Sequence, residues 1–572
     1  MEGLILSHLP EYVKNKEVLA HPQADDKWGI MPYDVEGIQG EALVTVQEGF
    51  PEDLVISPKL TGWHKIFICG WKMGGGYEYL VKLDNEPHFQ FHNYTGLPGK
   101  SHWSGLEHVE EQFWKCADLT GRDIIFRKPR GYTLELPETL VWLRCVPMTD
   151  EEVAAQKEYD KPARNLHAHF DSDTNLWYGT KTNEDAIHKL YALQNTDVKI
   201  CTIEAGEAME TYTTDRSIAR LITRQSKRYA LENANVAERM AEIAKVRAEL
   251  LHSFGIQMYG GLRASIAVNS DGGAVIPFVL EHPEFHLTTR DGRKTLVASY
   301  AFPETRQFVV DYLKYLVSIG FDGVTLIMHR GMHIAFEQPV LDEFAKRYDG
   351  LDARRVPMDD PRLKDVWCSF MTDFFRTLRR ELNESAGRHV PINIVTAYNN
   401  EASRRIGVDI AVLAKEGLID SICQDSMETM EVFTGCTAED GLIDLEKYKE
   451  YLRTDYTVKR RFHENWDLTK AGAEEYIAMT EKYGVEFYGG MPPWGVSTTQ
   501  KYVDWVNNLK AIGVKNFSFV NFCHNVQDRA KYHAITKTGH DTVNMEYCTV
   551  RHYRVLSMDG VDMSTYQPAW RG

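Results

Sequence analysis

The chain has 572 residues, of which 43% are hydrophobic and 26% charged, so it is long enough for two globular domains. Its 65 basic and 82 acidic side chains give a net charge of -17, which disfavours nucleic acid and anionic membranes as partners because both attract basic surfaces. No run of about 18 apolar residues occurs, so no membrane span is predicted. The first residues lack the pattern of a signal peptide, and nine scattered cysteines fit a reducing compartment, so we expect a cytoplasmic protein.

Residues 1–147 contain short runs of alternating apolar and polar side chains, separated by glycine and proline turns. Runs such as 63–70 have the period of two that is typical of strands, and almost no helical period is present. We predict an all-β, sandwich-like accessory domain here. A helical linker over 148–164 follows, and Thr149 or Asp150 is the predicted N-cap of its helix.

From residue 165 to 540 the pattern changes to strands that alternate with amphipathic helices. Gly320, Gly417 and Gly513 each close a helix before the next strand, which is the usual ending of a helix that leads into a parallel strand. No glycine-rich phosphate turn follows the first strand, so an open nucleotide-binding sheet is disfavoured. We predict a (β/α)8 barrel, followed by a tail over 541–572 that packs back on the front domain. The predicted barrel strands are 165–170, 198–204, 257–266, 323–329, 391–398, 419–425, 485–491 and 515–522.

Several stretches of the barrel region resemble one known family. They are Gly320-Phe-Asp-Gly-Val-Thr-Leu-Ile-Met-His-Arg-Gly, Phe336-Glu-Gln-Pro-Val, Phe375-Arg-Thr-Leu-Arg-Arg-Glu-Leu and Gly407-Val-Asp-Ile-Ala-Val-Leu-Ala-Lys-Glu-Gly-Leu-Ile-Asp-Ser-Ile. Over 257–525 the chain is similar to the bacterial family-ten-like glycosyl hydrolases. The resemblance implies a glycoside-hydrolase barrel. Where those proteins often carry an Asp at the end of strand four, this sequence reads Met328-His-Arg-Gly.

Functional side chains of such a barrel gather at the carboxyl ends of its strands. Glycoside hydrolysis needs two carboxyl groups, one that gives a proton to the leaving oxygen and one that attacks the anomeric carbon or activates water. A strand-like segment at 456–463, assigned to an insertion after strand six, is expected to form a wall of the site. By position, the catalytic candidates are Glu337, Glu401 and Asp425. Side chains that can stack on a sugar or hydrogen-bond its hydroxyls are predicted to bind the substrate: His169, Glu204, Arg263, His329, Arg330, Tyr398, Asn399, Trp494, Asn521 and His524.

A metal-dependent hydrolase or lyase on the same barrel is one alternative. His167, His169 and Asp171 share one face of the first strand, which is where metal-dependent amidohydrolase barrels place their first two ligands. Strands five and six end without the histidines that such enzymes also need, and His329 and His333 have zinc spacing only on a helix. The sequence therefore predicts no metal and no other cofactor.

A barrel that binds carbohydrate without cleaving it is the other alternative. Nucleophilic catalysis by serine or cysteine finds no support, because the nucleophile elbow is absent and Cys423 and Cys523 lie in apolar strands as ordinary core residues. The leading hypothesis is a glycosidase that acts on a soluble oligosaccharide or glycoside. A homo-oligomer is left open.

Overall fold

The computed structural model describes residues 3–21, 23–46, 49–71, 78–93, 108–129, 138–170, 182–205, 236–265, 276–328, 331–425, 427–431, 458–462, 466–491, 498–520, 522 and 529–558. The helices are α1 (Leu9–Tyr12), α2 (Asp150–Tyr159), α3 (Asn183–Ile187), α4 (Val236–Ser253), α5 (Pro277–Glu281), α6 (Pro303–Ser318), α7 (Gln338–Arg347), α8 (Pro361–Ala386), α9 (Asn400–Arg404), α10 (Ile410–Lys415), α11 (Trp466–Tyr483), α12 (Thr499–Ala511) and α13 (Arg529–Thr536). Among the helices of these ranges, none is long and apolar enough to cross a bilayer.

The strands before the barrel are β1 (Leu4–Leu6), β2 (Leu19–Ala20), β3 (Trp28–Val35), β4 (Ile38–Val44), β5 (Leu54–Ile56), β6 (Trp63–Trp71), β7 (Glu78–Leu83), β8 (Gln90–Asn93), β9 (His108–Asp118), β10 (Ile124–Arg127) and β11 (Thr139–Pro147). The later strands are β12 (Leu166–Phe170), β13 (Val198–Glu204), β14 (Gln257–Arg263), β15 (His286–Thr288), β16 (Lys294–Ala298), β17 (Gly323–Ile327), β18 (Ile392–Thr396), β19 (Ser421–Gln424), β20 (Met427–Glu431), β21 (Val458–Phe462), β22 (Glu486–Gly490), β23 (Asn516–Phe519) and β24 (Val550–Met558).

Eight parallel strands form a closed barrel in the order β12, β13, β14, β17, β18, β19, β22 and β23. Each lies inside a segment predicted to be a strand, so the predicted (β/α)8 barrel is confirmed. Alternate residues face outward and pack against the surrounding helices, as Leu166, Ala168 and Phe170 do, and the residues between them face the barrel interior. We call the end formed by the carboxyl ends of the strands the mouth, and the opposite end the base.

Glycines set the helix ends that lead into parallel strands. Gly320, Gly417 and Gly513 follow α6, α10 and α12, and their φ angles are +117°, +69° and +95°. Residues with a β carbon rarely adopt this region, so glycine lets the chain turn directly from helix to strand. The predicted helix ends are confirmed.

The linker helix α2 begins as predicted. The Thr149 hydroxyl accepts the backbone N–H of Glu152, and the Glu152 carboxylate accepts the backbone N–H of Thr149. This reciprocal cap satisfies two of the amides that every helix N-terminus leaves open.

A pair of antiparallel strands lies between the sixth and seventh barrel strands along the chain. β20 and β21 pair antiparallel, with Thr429 opposite Arg460. The strand predicted over 456–463 is thereby confirmed as β21, in an insertion between β19 and β22. Its role as a wall of the site stays a prediction.

The region before the barrel is built of antiparallel sheet. In the larger sheet β6 pairs with both β9 and β11, and β4, β3 and β24 complete the path between those two strands. The smaller sheet has the order β5, β10, β7 and β8. Trp28, Trp114 and Phe126 belong to one hydrophobic cluster that both sheets share. The predicted antiparallel strands are confirmed, whereas the all-β, two-layer sandwich stays a prediction.

The last described strand brings the segment after the barrel into the larger sheet. β24 pairs antiparallel with β3 and with β9. The Arg551 guanidinium of β24 lies 3.5 Å from the carboxylate of Glu111, which is fully buried in β9. The Tyr553 ring packs edge-on against Trp142 at 5.2 Å between centroids. Sheet pairing, charge and aromatic packing all hold this strand in place.

Candidate active site

Side chains from the ends of several strands meet at the mouth of the barrel. Glu204 ends β13, Arg263 ends β14 and Asp425 follows β19. They lie at the same end of the barrel because its strands are parallel. The predicted substrate-binding residues His329, Arg330, Trp494, Asn521 and His524 lie outside the described residues.

Glu204 and Arg263 form an ion pair at the mouth. Arg263 Nε donates to Glu204 Oε2 over 2.8 Å, and the Glu204 side chain is 3% exposed while that of Arg263 is 31% exposed. Gly261 lies opposite Glu204 on the neighbouring strand, and a β carbon there would be 2.6 Å from Thr202 Cγ2 and 3.3 Å from Glu204 Cγ. Glycine therefore leaves the space that the carboxylate occupies.

Asp425 lies on the opposite side of the mouth. Its backbone N–H donates to the carbonyl of Thr396 over 2.9 Å, and the residue is partly buried. Cys423, two residues earlier, faces the barrel interior, and the alternation of the strand puts Asp425 on the same face. β13 and β19 are the second and sixth strands of the ring, four places apart in either direction. Glu204 and Asp425 thus approach the mouth from opposite sides.

Glu337 is an internal anchor. Its two carboxylate oxygens accept the backbone N–H groups of Thr288 and Ala335, each over 2.9 Å. The residue is 1% exposed, and burial raises its pKa to about 7, although hydrogen bonds from these amides and from Ser299 offset part of the effect. These contacts join the hairpin of β15 and β16 to the start of α7 and give Glu337 a structural task. Its catalytic role stays a prediction.

Glu401, Asn399 and Tyr398 lie on the rim beyond β18. Asn399 Oδ1 accepts the backbone N–H three residues later over 2.8 Å and so caps α9. The Glu401 side chain is 52% exposed and forms an ion pair with Lys364 of α8. The Tyr398 carbonyl accepts Gln424 Nε2 over 2.9 Å. Each of the three therefore contributes to local structure, and their predicted roles toward a substrate stay predictions.

Two histidines and a cysteine lie together inside the barrel, beneath the mouth. His167 and His169 come from β12 and Cys423 from β19; all three are fully buried, and one donor atom of each lies within 4.8 Å of the others. The two imidazole rings stack with centroids 4.3 Å apart and planes at 11°. Burial holds the pKa of His167 well below its usual value, and the neighbouring His169 adds to the shift, so the ring is neutral near pH 7. The His169 Nε2 atom lies 3.3 Å from the Ser518 hydroxyl.

A closed circuit of hydrogen bonds runs through the same interior. His167 Nε2 lies 2.7 Å from Thr202 Oγ1, which lies 2.7 Å from Thr325 Oγ1. Asn393 Nδ2 donates to Thr325 Oγ1 over 3.4 Å, and the Cys423 thiol donates to Asn393 Oδ1 over 3.3 Å. Cys423 Sγ lies 3.4 Å from His167 Nδ1, which completes the circuit. Side chains from five strands thus satisfy one another inside the barrel.

Sequence reasoning missed the position of Cys423, because an apolar strand made it look like an ordinary core residue. The structure places it beside His167, 256 positions earlier in the chain. The signal was the alternation of β19, since Cys423 precedes Asp425 by two residues and therefore shares its face. Its neighbours across the barrel could not be read from its own strand.

Comparisons with known proteins were made against families, curated proteins and solved structures. No protein family model matches the chain, and no curated protein matches it. Among solved structures, the chain is similar to the glycoside hydrolase domain of PelA from Pseudomonas aeruginosa, with 10% identity over 63% of this chain and 95% of that one and a TM-score of 0.32. A ruminal GH26 endo-beta-1,4-mannanase has 10% identity over 88% and 92% with a TM-score of 0.30, and a GH18 chitinase from Cycas revoluta has 7% over 65% and 99% with a TM-score of 0.33.

At these identities and TM-scores the likenesses say nothing about the reaction of this chain. None of the three proteins is described as family-ten-like, so that finer resemblance stays a prediction. The side chains at the mouth are what bear on function.

Proposed function

We propose that the chain is a glycoside hydrolase that cleaves O-glycosidic bonds of a soluble oligosaccharide or glycoside at the mouth of its barrel. The observation that carries the proposal is the placement of two carboxyl groups, Glu204 and Asp425, at the ends of strands that oppose each other in the eight-stranded ring. Hydrolysis of a glycoside requires a carboxyl group on each side of the scissile bond.

The surroundings of Glu204 assign the roles within the proposed pair. Arg263 donates to Glu204 over 2.8 Å, and this contact stabilises the ionised form, which a nucleophile or a general base needs. Asp425 then serves as the proton donor to the leaving oxygen. The Arg263 guanidinium is partly exposed, so a sugar hydroxyl can approach it.

The proposed pair includes one of the three catalytic candidates taken from the sequence, Asp425, and leaves out the other two, Glu337 and Glu401. Glu337 is closed to solvent and bound by backbone amides, and Glu401 is paired with Lys364 on the rim. Asp425 keeps its catalytic assignment, and Glu204 moves from substrate binding to catalysis. The predicted contributions to substrate binding from loops outside the described residues are retained: His329, Arg330, Trp494, Asn521 and His524.

The test compares three amide variants on a panel of aryl glycosides and natural oligosaccharides. Asp425→Asn and Glu204→Gln remove the two carboxyl groups at the mouth, and Glu486→Gln removes a carboxyl group at the base, where it is bound to Lys199 and Tyr488. We expect kcat/KM to fall at least about 100-fold in each mouth variant, as loss of a general acid or base requires, and to stay near the wild-type value in Glu486→Gln. Circular dichroism confirms that each variant is folded.

Two results would overturn the proposal. The first is full turnover by both mouth variants, since the carboxyl pair would then be the wrong one. The second is a wild-type protein that forms no product from any glycoside but is stabilised saturably by one, because that outcome describes a barrel that binds carbohydrate without cleaving it.

The division of the chain that fits this function is an accessory domain over 1–147, a linker over 148–164, a catalytic barrel over 165–540 and a tail over 541–572. One hydrophobic cluster is confined to the front region, whereas the large barrel cluster also includes Leu80, Phe89 and Phe91 from the front region. The two domains therefore pack together. A cytoplasmic location, with its reducing conditions, suits the buried free thiols of the described residues.

A further inference from the structure

The interior of this barrel is more polar than that of most (β/α)8 barrels. Branched apolar side chains usually fill this space, and an unpaired polar group there costs free energy. Here, six of the eight strands contribute buried polar or thiol side chains to the described interior. They are His167, His169, Thr202, Thr325, Asn393, Ser421, Cys423 and Ser518. A hydrogen-bond circuit alone does not require two imidazoles on one strand and a thiol on another.

We propose that His167, His169 and Cys423 bind a divalent ion of the thiolate-preferring class, with zinc as its representative, inside the barrel beneath the carboxyl pair. One donor atom of each residue lies within 4.8 Å of the other two, and all three residues are fully buried. Two imidazole nitrogens and a thiolate are the donor types that select zinc over magnesium or calcium. The ion would join the first and sixth barrel strands.

The surrounding hydrogen bonds suit ligands of this kind. Thr202 Oγ1 lies 2.7 Å from His167 Nε2, so the nitrogen that faces Cys423 is Nδ1, and the threonine fixes the orientation of the ring. Metal-binding histidines usually have such a partner on the second nitrogen. The Cys423 thiol now donates to Asn393 Oδ1 and loses this proton to solvent when the sulfur binds the ion as a thiolate.

Ion binding requires one movement. Ring nitrogens bind metals in the plane of the ring, and the two imidazole planes are nearly parallel at 11°, so one ring must turn before both can face one ion. His169 is the one expected to turn, because its contact with Ser518 is 3.3 Å long whereas the contact of His167 with Thr202 is 2.7 Å. Ser518, which already contacts the Cys423 side chain, can keep donating to the sulfur as a thiolate.

The test uses the full chain, stripped of metal with a chelator and titrated with Co²⁺, followed by Zn²⁺. Bound Co²⁺ reports its own ligands, since a thiolate gives a charge-transfer band in the near ultraviolet. We expect one equivalent of Co²⁺ per chain, this band in the wild type, and complete displacement by one equivalent of Zn²⁺. Affinity should fall at least about 100-fold, with loss of the band, in Cys423→Ser, and at least about 10-fold in His169→Asn.

The matched control is Cys201→Ser, which removes a buried thiol from β13 that packs against the outer cluster and not into the barrel interior. This variant should bind Co²⁺ as the wild type does. A wild-type protein without the band, or a band that survives in Cys423→Ser, overturns the proposal. If a variant fails to fold, the wild-type spectrum still shows whether a thiolate binds Co²⁺.

The metal site and the glycosidase proposal are independent. Hydrolysis assays on the stripped and the zinc-loaded wild type test whether the carboxyl pair cleaves glycosides. The Co²⁺ spectrum tests whether Cys423 and the two histidines bind a metal ion.

Discussion

The two ends of the barrel each carry a carboxylate bound to a cation, but the two carboxylates differ in burial. At the base, Lys199 Nζ lies 2.6 Å from Glu486 Oε1, and the side chains are 36% and 40% exposed. At the mouth, Arg263 Nε lies 2.8 Å from Glu204 Oε2, and Glu204 is only 3% exposed. Similar distances therefore occur in different surroundings.

The difference in burial determines how much free energy each charged carboxylate costs. Water solvates both members of the pair at the base, so that pair contributes little to stability. At the mouth the Glu204 carboxylate is withdrawn from water, and the Arg263 guanidinium bound to it stabilises its charged form. Proteins retain such arrangements at sites where the charge is used, which is consistent with a catalytic Glu204.

The largest expected effect comes from breaking the mouth pair. Arg263→Met leaves the Glu204 carboxylate buried without its guanidinium, and we expect the free energy of unfolding to fall by about 3 kcal/mol. The matched change at the base, Lys199→Met, should cost less than about 1 kcal/mol. Urea unfolding of both variants measures the difference. Equal losses would show that the two ends are energetically alike and would contradict the comparison.

Glu337 extends the comparison to a buried carboxyl group held by amides. Its pKa in the folded protein is raised from 4.5 to about 7, so the folded state holds this proton more tightly than the unfolded state. The contribution of Glu337 to stability is therefore fully present below pH 4.5 and is lost as pH rises toward 7. Between pH 5 and pH 7 the loss should be about 2 kcal/mol.

Urea unfolding of the wild type and of Glu337→Gln over this pH range measures the effect. The stability difference between wild type and variant should move against the wild type as pH rises. Parallel profiles would show that Glu337 does not titrate in this window. Glycosidase activity of the variant, measured at pH 7, separates an anchor from a catalytic acid.

A smaller effect is expected in the layer between mouth and base. Thr202→Val preserves the side-chain shape but removes the hydroxyl that lies 2.7 Å from both His167 Nε2 and Thr325 Oγ1. We expect a loss of about 1–2 kcal/mol, because two buried polar atoms lose a partner. Thermal unfolding measures it, with Thr377→Val on the exposed face of α8 as the control. An unchanged melting temperature in Thr202→Val would mean that the circuit is not important for stability.

The barrel could be predicted from the sequence because its signals are local. Each strand is a short apolar run, and Gly320, Gly417 and Gly513 mark the helix ends that precede three of them. The position of Asp425, Glu204 and Arg263 at the carboxyl ends of strands could be predicted for the same reason, since each directly follows or ends a strand. The strands and helix ends predicted from local sequence are therefore the ones that the closed barrel contains.

What the sequence could not supply was how side chains pair across long separations. Glu337 follows a strand and so looked like a mouth residue, yet its partner Thr288 lies 49 positions earlier and draws it into the protein. Asn399 was chosen for its sugar-binding chemistry, and its cap on α9 depends on a helix start that the sequence did not mark. The interior position of Cys423 depends on register with β12, 256 residues away.

The most direct test of the central claim is a crystal structure of Asp425→Asn with an oligosaccharide that the wild type hydrolyses. The account predicts a glycosidic oxygen between residue 425 and Glu204, whose carboxyl carbon should lie about 5–10 Å from the amide carbon of residue 425. A sugar bound outside the mouth, or a separation too large for both groups to reach one bond, would contradict it.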